Sequence, residues 1–183
     1  MSVPLGGRRI LVAGIGNIFL SDDGFGPEVA RRFAPGRDAS ADVRVVDYGI
    51  RGMHLAYDLL EGYDALVIVD AIPPEQDSLD ETPGILRVLS VGPDDLGEAE
   101  LDAHGMNPVA VLASLGALGG TLPPTYIVGC CPASLEEAMG LTDEVNAVVD
   151  DAVALTARVV DDLLASRPVL GGGLECASES PVG

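Results

Sequence analysis

Three carboxylates and one histidine stand where they could carry chemistry. Asp22 and Asp23 are adjacent and follow a turn punctuated by glycines, and Asp70 follows four aliphatic residues. His104 is one of only two histidines in the chain. Carboxylate oxygens with an imidazole nitrogen suit Ni²⁺, Zn²⁺ or Fe²⁺, and three protein ligands leave a coordination position open. Asp23, Asp70 and His104 are therefore a candidate metal site.

Each of these residues also has an ordinary structural explanation. An Asp at a helix N-terminus is favoured by capping and by the helix dipole, so we assign Asp22 to a cap and leave Asp23 for chemistry. A carboxylate that emerges from a buried strand is costly unless it is paired, hydrogen-bonded or bound to metal, and Asp70 could instead cap a loop. A lone loop histidine is commonly an ordinary surface residue. His54, the other histidine, lies on the polar side of its predicted helix, and we interpret it as exposed surface. His104 differs because it lies beside an acidic loop and before a capped helix.

The elements that must position these residues follow an alternating pattern. Apolar runs at 10–13, 43–46, 65–69, 85–89 and 126–130 predict five strands. Helical patterns separate most of them, which indicates an α/β fold with a mostly parallel sheet. No helical pattern precedes the fourth run, so that strand is predicted to be antiparallel at an edge. Ligands of open α/β sheets bind beyond the carboxyl ends of the strands, where the candidate residues collect.

The predicted helices begin at recognisable residues. The first has Phe25, Val29 and Phe33 on one face, with Pro27 in its first turn. One helix begins at Pro108, and the last is predicted as a single helix from near Thr142. The second helix has Met53, Ala56 and Leu60 on one face, with Leu55 and Leu59 beside them. Residues 134–137 match a capping box. We predict one domain over 1–165 and a disordered tail over 166–183.

Composition excludes several classes of protein. The net charge of −19 argues against binding to nucleic acid or to an anionic membrane. All ten basic residues are Arg, which excludes Schiff-base chemistry, a P-loop and a Ser–Lys hydrolase. No apolar run is long enough to span a bilayer, and the start of the sequence lacks a signal-peptide pattern. The three cysteines form no CxxC pair, and the odd count predicts a reducing cytoplasm. Cys130 and Cys131 are interpreted as packing residues.

Two other sites would use the same residues. Gly14 and Gly16 begin like a dinucleotide-binding fingerprint, but Phe19 stands where the third glycine belongs. A phospho-receiver domain also has acids after its first strand and an Asp after its third. It needs a Lys after its last strand, however, and this chain has none.

The motifs together resemble those of the hydrogenase maturation proteases, which trim the C-terminus of the [NiFe]-hydrogenase large subunit. The resemblance covers about residues 9–164 and rests on several ordered motifs rather than on one. These are Gly14-Ile-Gly-Asn-Ile-Phe-Leu-Ser-Asp-Asp-Gly-Phe-Gly26, Asp47-Tyr-Gly-Ile-Arg-Gly52, Val69-Asp70-Ala71, the His104 loop, and Gly129-Cys-Cys-Pro-Ala-Ser-Leu-Glu136 with Gly140-Leu-Thr142.

The resemblance implies a three-layer α/β/α sandwich with a central sheet of about five strands. It also implies that Asp23, Asp70 and His104 bind nickel carried by the precursor, although other divalent metals suit the same ligands. Gly49 and Gly52 would form a loop that approaches the substrate backbone closely. Gly16, Asn17 and Asp22 would support the site. No separate general base stands out, so the catalytic group beyond the metal site stays open.

This chain departs from the family pattern at two positions. Asp23 stands where some relatives have Glu, which shortens that ligand arm by one methylene. Ile50 stands where Thr usually follows the first glycine of the loop, which removes a polar contact to the substrate.

The resemblance predicts a cytoplasmic, monomeric endopeptidase that processes a nickel-loaded large-subunit precursor. Two alternatives use the same loops. One is a non-catalytic module that binds nickel or the precursor, and the other is a related metallopeptidase with another substrate.

Overall fold

A five-stranded sheet forms the centre of the computed structural model, which describes residues 7–36, 42–74, 82–96 and 108–169. The strands are β1 (Ile10–Ile15), β2 (Val43–Gly49), β3 (Ala65–Ala71), β4 (Leu86–Val91) and β5 (Thr125–Cys130). The helices are α1 (Phe25–Phe33), α2 (Gly52–Leu59), α3 (Pro108–Ala117), α4 (Asp143–Asn146) and α5 (Val149–Leu164). Short 3₁₀ turns occupy Ser21–Gly24, Ala34–Gly36 and Pro93–Leu96.

The strands lie in the order β2-β1-β3-β5-β4. All neighbours are parallel except β4 and β5, which are antiparallel. This confirms the prediction of a mostly parallel sheet with an antiparallel fourth strand at its edge. β1 and β3 are buried along their whole length because helices cover both of their faces.

Two apolar cores lie on opposite faces of the sheet. One joins inward residues such as Val12 and Val67 to Phe25 of α1 and Val149 of α5. The other joins Leu11 and the remaining alternate strand residues to α2 and α3. The strand period of two sends successive side chains to opposite faces, so these continuous apolar runs fill both cores. The three-layer α/β/α sandwich is confirmed.

One helix prediction is wrong in detail, and one helix buries a face that its sequence did not identify. The last helix is two helices, α4 and α5, separated by Ala147 and Val148. Val145 and Val149 are both fully buried, so the apolar spacing continues across the break and conceals it. α2 buries Leu55 and its neighbours on one face, whereas the exposed fractions of Met53 and Leu60 are 47% and 44%. A short helix with apolar residues nearly all round does not reveal which of its faces meets the sheet.

In the part of the chain that the structure describes, none of the helices is both long and apolar enough to cross a membrane.

Candidate functional site

Asp23 lies on the turn that leaves β1 and enters α1. The backbone N–H of Asn17 donates to Oδ2 of Asp23 over 2.7 Å. Gly16 has a φ of 138°, and a Cβ at this position would lie 1.8 Å from the carbonyl oxygen of Asp23. Only a glycine lets the chain turn back so closely. Gly16 and Asn17 therefore fix the position of Asp23 at the mouth of the sheet.

Asp70 lies next to the carboxyl end of β3, on the strand adjacent to β1. Its side chain is buried, with an exposed fraction of 7%. Burial raises the pKa of the Asp70 carboxyl well above its usual range, and the nearby charge of Asp23 raises it further. The backbone N–H of Ala71 acts in the opposite direction. The structure thus brings two of the three predicted ligands together at one edge of the sheet.

These two carboxylates have the chemistry of a cation site. Burial and mutual repulsion both disfavour two negative charges, and a bound cation would offset both effects. Among the described residues, no three His, Cys, Asp or Glu side chains lie close enough to hold a metal ion. The third predicted ligand, His104, lies outside the described residues. So does Asn107, the predicted cap of the helix that begins at Pro108. Asp23 and Asp70 are therefore suitable as two of the ligands of a divalent metal ion.

A cavity of about 210 Å³ adjoins the β3 end of the site. Ile72, Arg87 and Gly129 are among the residues that line it. Gly129 is the register partner of Asp70 across β3 and β5. The cavity therefore lies next to the strand position of Asp70, although Asp70 itself does not line it.

Asp22 has a structural role, but not the predicted one. No side chain caps α1, whose N-cap is Gly24. The Asp22 carboxylate is fully buried and accepts hydrogen bonds from the backbone N–H groups of Ala133, Ser134 and Thr142 at 2.7 to 3.0 Å. The Thr142 hydroxyl donates to the same carboxylate. Asp22 ties the turn that carries Asp23 to the segment 133–142.

The capping box predicted at 134–137 does not form, because no helix begins there. The N–H groups of Ala133 and Ser134 are instead taken by Asp22. The Ser134 hydroxyl accepts from the N–H of Glu136 in a local turn. A carboxylate 112 residues away thus replaces the cap that the local pattern indicated.

Gly49 and Gly52 lie beside the same turn. Gly49 ends β2 with a φ of 53°, and its carbonyl accepts from the N–H of Gly16 over 3.1 Å. Gly52 is buried at the start of α2. The predicted loop therefore adjoins the Asp23 turn, which is where a loop would have to lie to meet a substrate bound at the site.

We expect Gly49→Ala to lower the free energy of unfolding by about 1–2 kcal/mol, the cost of a left-handed conformation for an L-residue. The added Cβ itself has room, since its nearest neighbours would lie 3.7 Å away. Gly49→Asn should cost less, because Asn tolerates this conformation better than Ala. Urea unfolding of both variants measures the difference, and equal losses would contradict the assignment to backbone strain.

Neither Cys130 nor Cys131 is placed for nucleophilic chemistry. Both are buried. Burial raises the pKa of Cys130 to about 12, with Cys131 and Asp22 adding to the shift. A thiol that stays protonated is a poor nucleophile. The other histidine, His54, is exposed on α2, as predicted.

Two residues near the site were not singled out from the sequence. Ser21 has a φ of 50°, which is uncommon for a residue other than glycine. Thr142 is predicted only as a helix start, although it also contacts Asp22. Both residues lie within the motifs that carry the family resemblance. No sequence signal marks the backbone strain at Ser21 or the contact of Thr142 with Asp22.

Fold and site together define an α/β protein in which two acidic side chains meet at the carboxyl edge of a parallel sheet. The model of the HycI family, described as hydrogenase maturation protease, matches residues 27–159. Hydrogenase 2 maturation protease of Escherichia coli strain K12 is 31% identical over 149 residues, which cover 79% of this chain and 86% of that protein. The hydrogenase expression/formation protein HupD of Rhodobacter capsulatus is 32% identical over 156 residues, which cover 82% of this chain and 70% of that protein.

A solved structure agrees with these relatives. The hydrogenase maturating endopeptidase HybD from E. coli superposes with a TM-score of 0.66 at 27% identity, covering 89% of this chain and 97% of that one. The chain belongs to the hydrogenase maturation protease family. It is accordingly an endopeptidase of the hydrolase class, and the family role implies a hydrogenase large-subunit precursor as its substrate.

Proposed function

We propose that this protein removes the C-terminal extension of a [NiFe]-hydrogenase large-subunit precursor after nickel has been inserted. The observation that carries the proposal is the buried Asp70 carboxyl beside Asp23 at the carboxyl end of β3, where a bound cation would offset the cost of two negative charges. Nickel held by the precursor would supply that cation. The site would thus distinguish a loaded precursor from an empty one by charge.

Asp23 and Asp70 would bind the nickel of the substrate, with His104 as the third ligand. An ion held in this way can anchor the precursor, and it can also polarise the scissile carbonyl or activate a water. The 210 Å³ cavity beside Asp70 offers space for the chain that is cleaved. Gly49 and Gly52 would let the neighbouring loop approach that chain closely. We further propose that the protein acts as a monomer in the cytoplasm.

We expect wild-type protein to shorten a nickel-loaded precursor and to leave the nickel-free precursor intact. His104→Ala should slow processing by at least ~10–100-fold, the range that the loss of a mere outer-shell partner of a metal ligand costs. His54→Ala is the matched control, since that histidine is exposed on α2 and should process normally. Mass spectrometry of the precursor measures all three rates.

Each possible outcome bears on a different part of the proposal. Equal processing by wild type and His104→Ala would overturn the ligand assignment. Equal processing of loaded and empty precursor would overturn the recognition of nickel. If wild type associates with the loaded precursor but never changes its mass, the cleavage itself is refuted.

A further inference from the structure

A groove of about 470 Å³ lies beside the N-terminal half of α1. Its lining includes the side chains of Ile18, Ser21, Pro27, Asp47, Met139 and Leu141. Glu28 and Arg31 also line it, and their charges offset each other in an ion pair at 2.8 Å. We call this surface the Ile18–Met139 groove. Neither Asp23 nor Asp70 lines it, so it is separate from the candidate metal site. It nevertheless shares the turn between β1 and α1 with Asp23.

Exposed apolar side chains surround the groove. The exposed fractions of Ile18, Phe19, Leu135 and Met139 are 47%, 62%, 40% and 72%. Their two segments are joined in the backbone, because the N–H of Ala138 donates to the carbonyl of Phe19 over 3.0 Å. Ile18 and Met139 both line the groove, and Phe19 and Leu135 lie on the same two adjoining segments. Contiguous exposed apolar regions commonly mark sites of protein interaction.

The region is held in place before any partner arrives. The fully buried Asp22 carboxylate fastens both ends of segment 133–142 to the turn that carries Ile18 and Phe19. A surface that is already ordered loses less conformational entropy on binding. The apolar side chains stay exposed, so their burial does not explain why the segment is fixed. A docking surface does explain it.

Ser21 provides an independent indication of a ligand. It is 5% exposed, lines the groove and has a φ of 50°. Within the described ranges, no partner hydrogen-bonds to its hydroxyl. Buried hydroxyl groups are normally paired, and backbone strain concentrates at functional sites. The hydroxyl is thus available to a polar group of whatever enters the groove.

The charge around the groove indicates the chemistry of the occupant. Segment 133–146 contains four acidic residues and neither Lys nor Arg. All four are exposed; they are Glu136, Glu137, Asp143 and Glu144. Asp47 adds an exposed carboxylate at the groove itself. A complementary partner presents an apolar side chain with basic side chains next to it.

We propose that the Ile18–Met139 groove docks a segment of the large-subunit precursor in which an apolar residue is flanked by Lys or Arg. The apolar side chain packs against Ile18 and Met139, and the Ser21 hydroxyl hydrogen-bonds to the main chain of the segment. This inference rests on the proposed function, because it names a second contact with the same substrate. The groove then selects the precursor by its surface, while the metal site selects it by its nickel.

The test is the processing of nickel-loaded precursor by Met139→Glu, with Leu60→Glu as the matched control. Both wild-type residues are exposed, but Leu60 lies at the far end of α2. We expect Met139→Glu to raise KM about tenfold or more with kcat unchanged, and Leu60→Glu to change neither. Ser21→Ala should raise KM about three- to tenfold, the equivalent of one hydrogen bond. A photo-crosslinking amino acid in place of Met139 should capture the precursor, whereas one in place of Leu60 should not.

An unchanged KM for Met139→Glu, or a failure to crosslink from position 139, would overturn the docking proposal while wild-type cleavage still supported the proposed function. An absence of cleavage by the wild type would refute the proposed function itself. Should Met139→Glu fold poorly, the crosslinking experiment decides alone, because it needs no charged substitution.

Discussion

The Asp70→Asn variant is expected to lose processing and yet to unfold at a higher temperature than the wild type. Without metal, the Asp70 carboxyl is buried, and the nearby charge of Asp23 repels its ionised form. The amide has the same shape and carries no charge, so it removes this cost. Stabilising substitutions commonly raise the free energy of unfolding by about 0.5–2 kcal/mol. Each kcal/mol raises Tm by about 2–4 °C in a domain of this size.

The gain should depend on pH in a definite direction. The pKa of Asp70 is raised above its ordinary value of 3.8 in the folded protein. As pH rises from that value towards the folded pKa, the unfolded chain releases the proton while the native state keeps it. The native state then binds more protons, so stability falls with rising pH. The advantage of Asp70→Asn over the wild type should therefore be larger at pH 8 than at pH 5.

Asp94→Asn controls for the loss of one negative charge from a chain of net charge −19. Asp94 is exposed in a 3₁₀ turn, so this variant should leave both processing and Tm nearly unchanged. Thermal unfolding of the metal-free proteins at the two pH values gives the comparison. If Asp70→Asn has a lower Tm than the wild type at pH 8, contacts within the protein stabilise the Asp70 carboxylate, and the prediction is contradicted.

The sequence allowed the sheet and the Asp23–Asp70 pair to be predicted because both depend on local patterns. The apolar run at 65–69 has the length and the composition of a strand buried on both faces, and Asp70 at its end is expected near the acids that follow β1. Even the antiparallel edge strand followed from a connection with no helical pattern. Such features need only the identity of neighbouring residues and the rule that parallel strands end at one edge.

The features that were not predicted depend on contacts between distant parts of the chain. Asp22 looked like a helix cap because it precedes a helix, but its carboxylate contacts Thr142, 120 residues further on. The same carboxylate also accepts from the N–H of Ser134, which in the capping box at 134–137 would have paired with the side chain of Glu137. The sequence does not identify the buried face of α2 for a related reason, since Met53 and Leu60 are as apolar as the residues that pack. Local preference cannot decide where tertiary contacts compete with it.

The two adjacent acids should therefore respond differently to the same substitution. Asp22→Asn is expected to lower the free energy of unfolding by about 3–5 kcal/mol, the usual cost of breaking a buried charged contact. Both of its oxygens accept from backbone N–H groups, so either orientation of an amide turns its own N–H towards a donor. Asp23→Asn should change stability by less than about 1 kcal/mol, since an amide oxygen can still accept from Asn17.

Urea unfolding separates the two variants, and processing of the nickel-loaded precursor separates them again. Asp23→Asn should keep its fold and lose activity. Asp22→Asn should also show faster hydrogen exchange at the amides of Ala133, Ser134 and Thr142 than the wild type, because their acceptor has been removed. Equal losses of stability in the two variants would contradict the division of roles. If only Asp22→Asn unfolds at a lower urea concentration than the wild type, Asp22 organises the turn and leaves Asp23 available to bind metal.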